Sequence, residues 1–371
     1  MTLAAALPSS EGPSSPAART EAARRRLVAL WLLACCAMIL AMVVIGGVTR
    51  LTESGLSIME WQPISGALPP WSEAEWQRVF ALYQQIPQFE LVNHSMTLAE
   101  FKGIFWWEYV HRLWGRLIGL AFALPLLAFW LGGRLPRGLA PRLLLLLALG
   151  GLQGLVGWWM VQSGLSHRID VSQYRLTLHL GLALVVYVAM LWTALDLLRP
   201  VPAALPPAAA GLRRALIAAT ALIALTMAMG GFVAGLKAGF IYNSFPLMAG
   251  QILPADGWAL APAWRNLTEN PVLAQFVHRW LAVLTLAAVL ALWLGARRLR
   301  LPRAAALPLG LMAGMALLQV ALGISTLLLV VPIPLAAAHQ AGAVVLLTLA
   351  TLALHGLRPP RDPLYKRAAA G

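Results

Sequence analysis

Glu108-Tyr-Val-His-Arg112 opens one long apolar run of this chain, and Gln275-Phe-Val-His-Arg279 opens another. Near-copies of one pentapeptide at the heads of two such runs mark an internal repeat, and the repeat decides how the rest is read. Working outward, apolar runs fall at about 27–48, 104–131, 142–162, 173–198, 213–235, 272–296, 305–331 and 334–356. Each is long enough to approach or exceed the roughly 20 residues of a membrane-crossing helix. Further landmarks recur in the same order. Gly46-Gly47-Val-Thr-Arg50 closes the first run and Gly230-Gly231-Phe-Val-Ala234 the fifth. Gln153 with Gly157 in the third answers Gln319 with Gly323 in the seventh, and Leu178-His179-Leu-Gly181 answers Ala338-His339-Gln-Ala-Gly342. The pattern predicts an all-α integral membrane protein with eight transmembrane helices arranged as two repeated four-helix bundles. The first unit covers 27–200 with a long loop at 50–103, and the second covers 201–371 including a terminal tail. Residues 1–26, rich in Ala, Ser and Pro, are expected to form a disordered tail.

Composition agrees with this reading. The 371 residues are 60% hydrophobic and 11% charged, with a mean hydropathy of +0.74, whereas soluble domains carry about 25% charged residues. A net charge of +14 would suggest nucleic acid in a soluble protein, but here the positions of the charges explain it. Arg19, Arg24, Arg25 and Arg26 precede the first run. Arg134, Arg137 and Arg142 follow the second, Arg199, Arg213 and Arg214 the fourth, and Arg297, Arg298, Arg300 and Arg303 the sixth. Arg358, Arg361, Lys366 and Arg367 follow the eighth, so 18 of the 28 basic residues lie on one side. The alternate connections carry only Arg50, Arg78, Lys102, Arg168, Lys237 and Arg265. Positive charge stays inside, so both termini are expected to be cytoplasmic, in a bacterial inner (plasma) membrane, or on the matrix side if the membrane is mitochondrial. The partner is then the lipid bilayer and no nucleic acid. Trp61, Trp71, Trp76, Trp106 and Trp107 are expected to anchor at the headgroups. Cys35 and Cys36, adjacent inside the first run, form no disulfide framework, metal-ligand spacing or haem-attachment signature.

Four of the seven histidines, His111, His179, His278 and His339, fall on the even-numbered spans, each near that helix's outer end. Ionisable residues inside spans are rare and are functional candidates by default. Two imidazoles on facing helices of a bundle suit a haem with one axial histidine on each face. Zinc would want further Cys, His or carboxylate ligands. His111 with His179, and His278 with His339, are therefore the expected haem pairs. Gly115, Gly119, Gly151, Gly154, Gly157, Gly310 and Gly314 give room for a porphyrin or close helix packing. Arg112, Arg116 and Arg279 either neutralise propionates or snorkel to the interface. His94, His167 and His355 are expected in solvated positions. Glu108 stands one helical turn before His111, while its counterpart in the second unit is Gln275. That asymmetry is what a pair of haems would need if one reacted and the other passed electrons or held structure. An i,i+4 ion pair of Glu108 with Arg112 is the compatible alternative.

Gly47-Val-Thr-Arg-Leu-Thr-Glu-Ser-Gly-Leu-Ser57, Trp61-Gln-Pro63 and Pro69-Pro70 resemble the first outer loop of haem A synthases. Glu100-Phe-Lys-Gly-Ile-Phe-Trp-Trp-Glu-Tyr-Val-His-Arg112 and Asn243-Ser-Phe-Pro-Leu-Met248 continue the likeness, which runs from about 27 to 356. The chain is similar to the mitochondrial and alphaproteobacterial type, without the loop cysteine pairs of the other branch. The resemblance implies a membrane oxidoreductase that converts the methyl group on one pyrrole of haem O to a formyl group for cytochrome oxidase biogenesis. It implies that His111 and His179 flank the substrate haem O and product haem A, that His278 and His339 ligate a resident haem b, and that Glu108 is the essential acid. It also implies a supply of haem O from a haem O synthase and an electron-transfer partner that no motif here identifies. Cytochrome oxidase assembly factors are candidate partners, and the small-residue faces suit packing within a chain or in a homo-oligomer. A non-catalytic dihaem b-type electron-transfer protein would explain the histidines but not Glu108 against Gln275. A repeat-built transporter would need polar residues at the midplane, whereas those here cluster in the outer third.

Overall fold

A computed structural model describes residues 15–62, 65–166, 168–199 and 205–359. It contains eight long apolar helices: α1 (Pro16–Leu51), α2 (Leu98–Leu131), α3 (Ala140–Gln162), α4 (Gln173–Leu198), α5 (Ala209–Gly235), α6 (Pro271–Ala296), α7 (Arg303–Leu328) and α8 (Ile333–Gly356). Among the described residues there is no strand, only an isolated bridge between Met248 and Gln251. The expected spans are recovered, and two of the helices begin earlier than apolarity suggests. α2 starts at a capping box in which Thr97 and Glu100 satisfy each other's backbone N–H groups, so its first turns rise out of the apolar layer. α1 starts at Pro16, with Arg25 paired to Glu21 at 3.0 Å one turn apart. Residues 16–26 therefore continue the first helix instead of forming a coil, and residues 1–14 of the expected tail lie outside the described residues.

The helices close into two rings. α1 and α3 each pack on α2 and α4, and α5 and α7 each pack on α6 and α8. The rings join where α1 meets α8 and where α4 meets α5 and α8. The paired glycines of the repeat explain this seam. A Cβ on Gly231 would stand 2.8 Å from Thr177 Oγ1 on α4, and Gly47 lies as tightly against Gln340 on α8. Gln340 Nε2 donates to the Val43 carbonyl at 3.0 Å, and Tyr187 and Thr348 share a hydroxyl hydrogen bond of 2.7 Å. One apolar core runs through both rings, with Leu32, Leu143, Leu216 and Leu309 wholly buried. Cys35 and Cys36 are part of it, as small apolar residues would be.

A second core lies under the 50–103 loop. Leu56, Trp76, Tyr83, Phe101 and Phe105 bury one another over the protruding start of α2. The loop helix Glu73–Tyr83 is held there by its own capping box, Ser72 with Glu75. Trp76 is thus a core residue, 4.8 Å from the Phe105 ring, and not the expected headgroup anchor. Trp61, Trp71, Trp106 and Trp107 are exposed, as anchors would be. On the opposite face, His355 departs from expectation. It is fully buried, 3.1 Å from Asp196, which also pairs with Arg142 at 2.9 Å, and its ring meets Trp192 edge-on. Three helices converge there, so a residue at the end of α8 is enclosed by its neighbours. His94 is exposed, and His167 lies outside the described residues.

Candidate functional site

All four span histidines sit on the side of the bundle that carries the 50–103 loop, and each faces a glycine on the neighbouring helix of its own ring. A Cβ at Gly46 would stand 3.1 Å from His111 Nε2, and one at Gly230 would stand 3.1 Å from His278 Cε1. A Cβ at Gly157 would be 2.8 Å from His179 Cε1, and one at Gly323 would be 2.9 Å from His339 Cε1. Four imidazoles are therefore seated on bare backbone, a cradle that any larger residue would fill. In the second ring, the His278 and His339 ring centroids are 6.4 Å apart with planes at 88°. Two metal–nitrogen bonds of about 2 Å, with half an imidazole ring on each side, sum to about 6 Å. That spacing would admit one metal atom between the two rings, and the donor set would fit a haem, which His278 and His339 would hold. Among the described residues no group of three or more His, Cys, Asp and Glu could hold a bare metal ion.

Glutamines complete the seats. Gln153 Nε2 donates to the His179 carbonyl at 3.0 Å and lies 3.2 Å from His179 Nδ1. Gln319 Nε2 repeats this on His339, at 2.7 Å and 3.2 Å. The repeat made both residues visible in the sequence without giving them a task. His278 Nδ1 instead lies 3.1 Å from the Thr226 carbonyl. Of the glycines expected to make room, Gly119, Gly151, Gly154 and Gly314 have open space where a Cβ would project, while Gly115 meets Met42 and Gly310 nears Trp293.

Glu108 is buried, with only 2% of its surface exposed, and both of its oxygens are occupied. Oε1 accepts from Arg112 Nε at 2.9 Å and Nη2 at 2.5 Å. Oε2 accepts from the Ser57 N–H at 2.6 Å, the Ser57 hydroxyl at 2.8 Å and the Ile58 N–H at 2.8 Å. Arg112 then donates to the Ile58 and Glu60 carbonyls at 2.6 and 3.1 Å and lies over the Trp61 ring. The expected ion pair is present, and it clasps the loop. Gln275 and Arg279 build the same clasp on the other ring. Arg279 donates to Gln275 Oε1 at 3.0 Å and to the carbonyls of Tyr242 and Ser244 at 2.5 and 2.6 Å. Gln275 Nε2 donates to the Ala238 and Tyr242 carbonyls at 2.8 and 3.3 Å. The acid and the amide thus follow the polarity of what each must bind. The first loop offers N–H and O–H donors, and the second offers carbonyl acceptors. Arg116 Nη2 donates to the Gln62 carbonyl at 2.9 Å. All three arginines expected near propionates therefore have donors engaged with loop carbonyls. Sequence reasoning found Glu108 and Arg112 but missed Ser57 and Ile58, because nothing in a loop sequence says which N–H groups turn inward.

The rings are also tied at this face. Lys237, in the connection after α5, reaches Glu53 at 2.6 Å and Asp170 at 3.0 Å, both in loops of the first ring. Burial alone would lower its pKa, but the bonds to the two carboxylates outweigh that and hold its ammonium above the ordinary lysine range.

Comparison with known proteins accounts for most of the chain. The family model described as cytochrome oxidase assembly protein, COX15-CtaA, matches residues 29–351. The chain is 54% identical over 360 residues to a heme A synthase of Rhodospirillum centenum, covering 94% of each. It is 51% identical over 335 residues to a heme A synthase of Parvibaculum lavamentivorans, covering 90% of this chain and 95% of the relative. Against the human heme A synthase COX15 the identity is 48% over 344 residues, 91% of this chain and 84% of the relative. With its eight apolar helices, its doubled histidine seats and this extent of likeness, the chain belongs to the COX15-CtaA family of cytochrome oxidase assembly proteins.

Proposed function

We propose that this protein is a haem A synthase, an oxidoreductase of the bacterial inner membrane with both termini on the cytoplasmic side. It takes haem O as substrate, oxidises the methyl group on one pyrrole to a hydroxymethyl and then to a hydrated aldehyde, and loses water to leave the formyl group of haem A. The observation that carries the reading is the imidazole seat built four times, two per ring, each on a glycine of the adjacent helix. His111 and His179 flank the substrate in the first ring. His278 and His339 hold a resident haem b in the second, and such a haem, when bound, supplies one-electron redox chemistry. Each of the two oxidations takes its hydroxyl from water and releases two electrons and two protons, and the electrons pass to an acceptor outside this chain.

The chain's own residues orient the reaction and move its protons. The Glu108–Arg112 clasp fixes the loop segment 57–60 over the first ring. A carboxylate with both oxygens occupied exchanges protons only through a partner, and the Ser57 hydroxyl, 2.8 Å away, is the one partner in the clasp that both donates and accepts. Glu108 therefore acts as acid/base through Ser57. Arg112, Arg116 and Arg279 keep the same face cationic, which suits the propionates of a haem on either ring.

The test is extraction and mass analysis of the haems bound after expression beside a haem O supply. The expected result is protohaem together with haem O, its hydroxylated form and haem A, with protohaem lost selectively in His278→Ala. Protohaem alone, in both rings, would refute the synthase reading and leave a dihaem electron-transfer protein.

A further inference from the structure

Gln153 and Gln319 each do the same three things. Nε2 donates to the carbonyl of the histidine opposite, the same nitrogen lies 3.2 Å from that ring's Nδ1, and Oε1 is buried without a hydrogen-bond partner. One turn further along the same helix, Gly157 and Gly323 press bare backbone against Cε1 of the ring. Each imidazole is therefore held between an amide and a glycine four residues apart. Among the described residues the partner histidines lack such an amide. His278 meets a main-chain carbonyl, which can only accept, so Nδ1 carries the proton and Nε2 keeps its lone pair. In both seats the amide nitrogen that faces Nδ1 is committed to the histidine's own carbonyl, so the glutamine ties the ring to the backbone of its helix.

We propose that Gln153 and Gln319 are positioning residues that fix the place and plane of the imidazoles His179 and His339. The inference rests on the reading of the four histidines as haem ligands. Outer partners of a ligating histidine orient its ring and tune its donor strength, and losing one costs about 10–100-fold in metal affinity or activity. The consequence is specific in the second ring, where the two imidazole planes stand at 88°. Axial imidazoles that are nearly perpendicular give a low-spin ferric haem a strongly anisotropic EPR signal. Coplanar ones give a rhombic signal. Gln319, gripping His339 against Gly323, is what keeps the planes crossed.

The experiment compares the purified holoprotein with Gln319→Met, which fills the volume without hydrogen bonding, and with Gln319→Glu, which replaces the amide donor at the His339 carbonyl by a carboxylate. EPR and redox titration of the bound haem are the readouts, with Gln153→Met as the first-ring counterpart. The unmodified protein is expected to give the strongly anisotropic signal. Gln319→Met should convert it to rhombic signals and release haem at least about 10-fold faster, and Gln319→Glu should lower the midpoint potential. Gln153→Met should leave the resident haem's signal unchanged and weaken haem retention in the first ring. A rhombic signal from the unmodified protein overturns the proposal without any variant. So does a Gln319→Glu protein whose spectrum and potential match the parent. Unmodified protein that binds no haem would remove the ligand reading itself, which separates the two failures.

Discussion

Replacing Glu108 by glutamine changes one atom and breaks one side of a clasp. The native carboxylate accepts five hydrogen bonds, two from Arg112 and three from Ser57 and Ile58. Glutamine has one acceptor oxygen, which can face the arginine or the loop but not both. If the oxygen stays with Arg112, the new amide points its own hydrogens at two backbone N–H groups and leaves them unsatisfied. Each buried donor so orphaned costs about 1–3 kcal/mol, so the loop segment loses about 2–6 kcal/mol of anchoring. If the oxygen turns to the loop, Arg112 loses its counter-charge, and breaking a buried ion pair costs about 3–5 kcal/mol. Either way segment 57–60 opens far more often. At about 1.4 kcal/mol per factor of ten, the smaller figure already means about 30-fold faster amide exchange at Ser57 and Ile58. The assay is hydrogen exchange of the loop peptide, measured beside haem A output and haem content. Glu108→Gln is expected to keep its haems, lose haem A output and accelerate exchange at those two amides. Lost output with exchange unchanged at Ser57 and Ile58 would refute the clasp and leave proton transfer as the whole role of Glu108.

Three further outcomes follow from the same geometry. Ser57→Ala keeps the two backbone N–H bonds to Glu108 but removes the hydroxyl, so haem A output should fall by about 10²–10⁴-fold while loop exchange stays near the parental rate; parental output would dismiss Ser57 as the proton partner. Gly157→Ala and Gly323→Ala each drive a methyl into a histidine ring at under 3 Å, an overpacking of about 1–3 kcal/mol, and should each deplete haem from their own ring only. Loss of both haems from either variant, read from absorption spectra and extraction, would contradict the separate seats. Lys237 is held above its ordinary range by Glu53 and Asp170 against the pull of burial, so its contribution is whole below the unfolded lysine value near pH 10.4. That contribution disappears as pH rises through the higher folded value. Thermal unfolding of the solubilised protein should show an alkaline decline that Lys237→Met shallows, and equal declines in parent and variant would refute the tie.

The fold was legible because membrane insertion makes a loud signal. Eight apolar runs, a doubled pentapeptide and asymmetric arginines need no tertiary information to be read. The histidines were legible for the same reason, since imidazoles stand out against leucine and alanine. What stayed hidden was contact. Trp76 is indistinguishable in sequence from Trp71, yet the first is core and the second is 76% exposed, because only the capped helix Glu73–Tyr83 decides which ring turns down. His355 lies at the end of an apolar run and reads as solvated until Asp196 and Arg142 arrive from two other helices. The start of α1 was hidden too, since Ala-rich and Arg-rich residues serve a tail or a helix equally well.

Gly46-Gly47 and Gly230-Gly231 illustrate how much one dipeptide can encode. Its first glycine seats a histidine of its own ring, and its second admits a helix of the other ring, so histidine seat and ring seam are set one residue apart. The Glu108 and Gln275 pair invites a different conclusion from the one their contrast first suggests. Both residues clasp a loop through an arginine one turn on, and each matches the donors or acceptors that its loop turns inward. Acid against amide is therefore accounted for by hydrogen-bond polarity before any chemistry is invoked. A difference between the two rings must then come from what the clasps hold. The first holds the 50–103 loop with its own aromatic core and brings the Ser57 hydroxyl onto the carboxylate. The second holds only main-chain carbonyls on Gln275. A hydroxyl can relay a proton and a carbonyl cannot donate one, so on the proposed function the asymmetry of the rings resides in Ser57 and its loop as much as in Glu108.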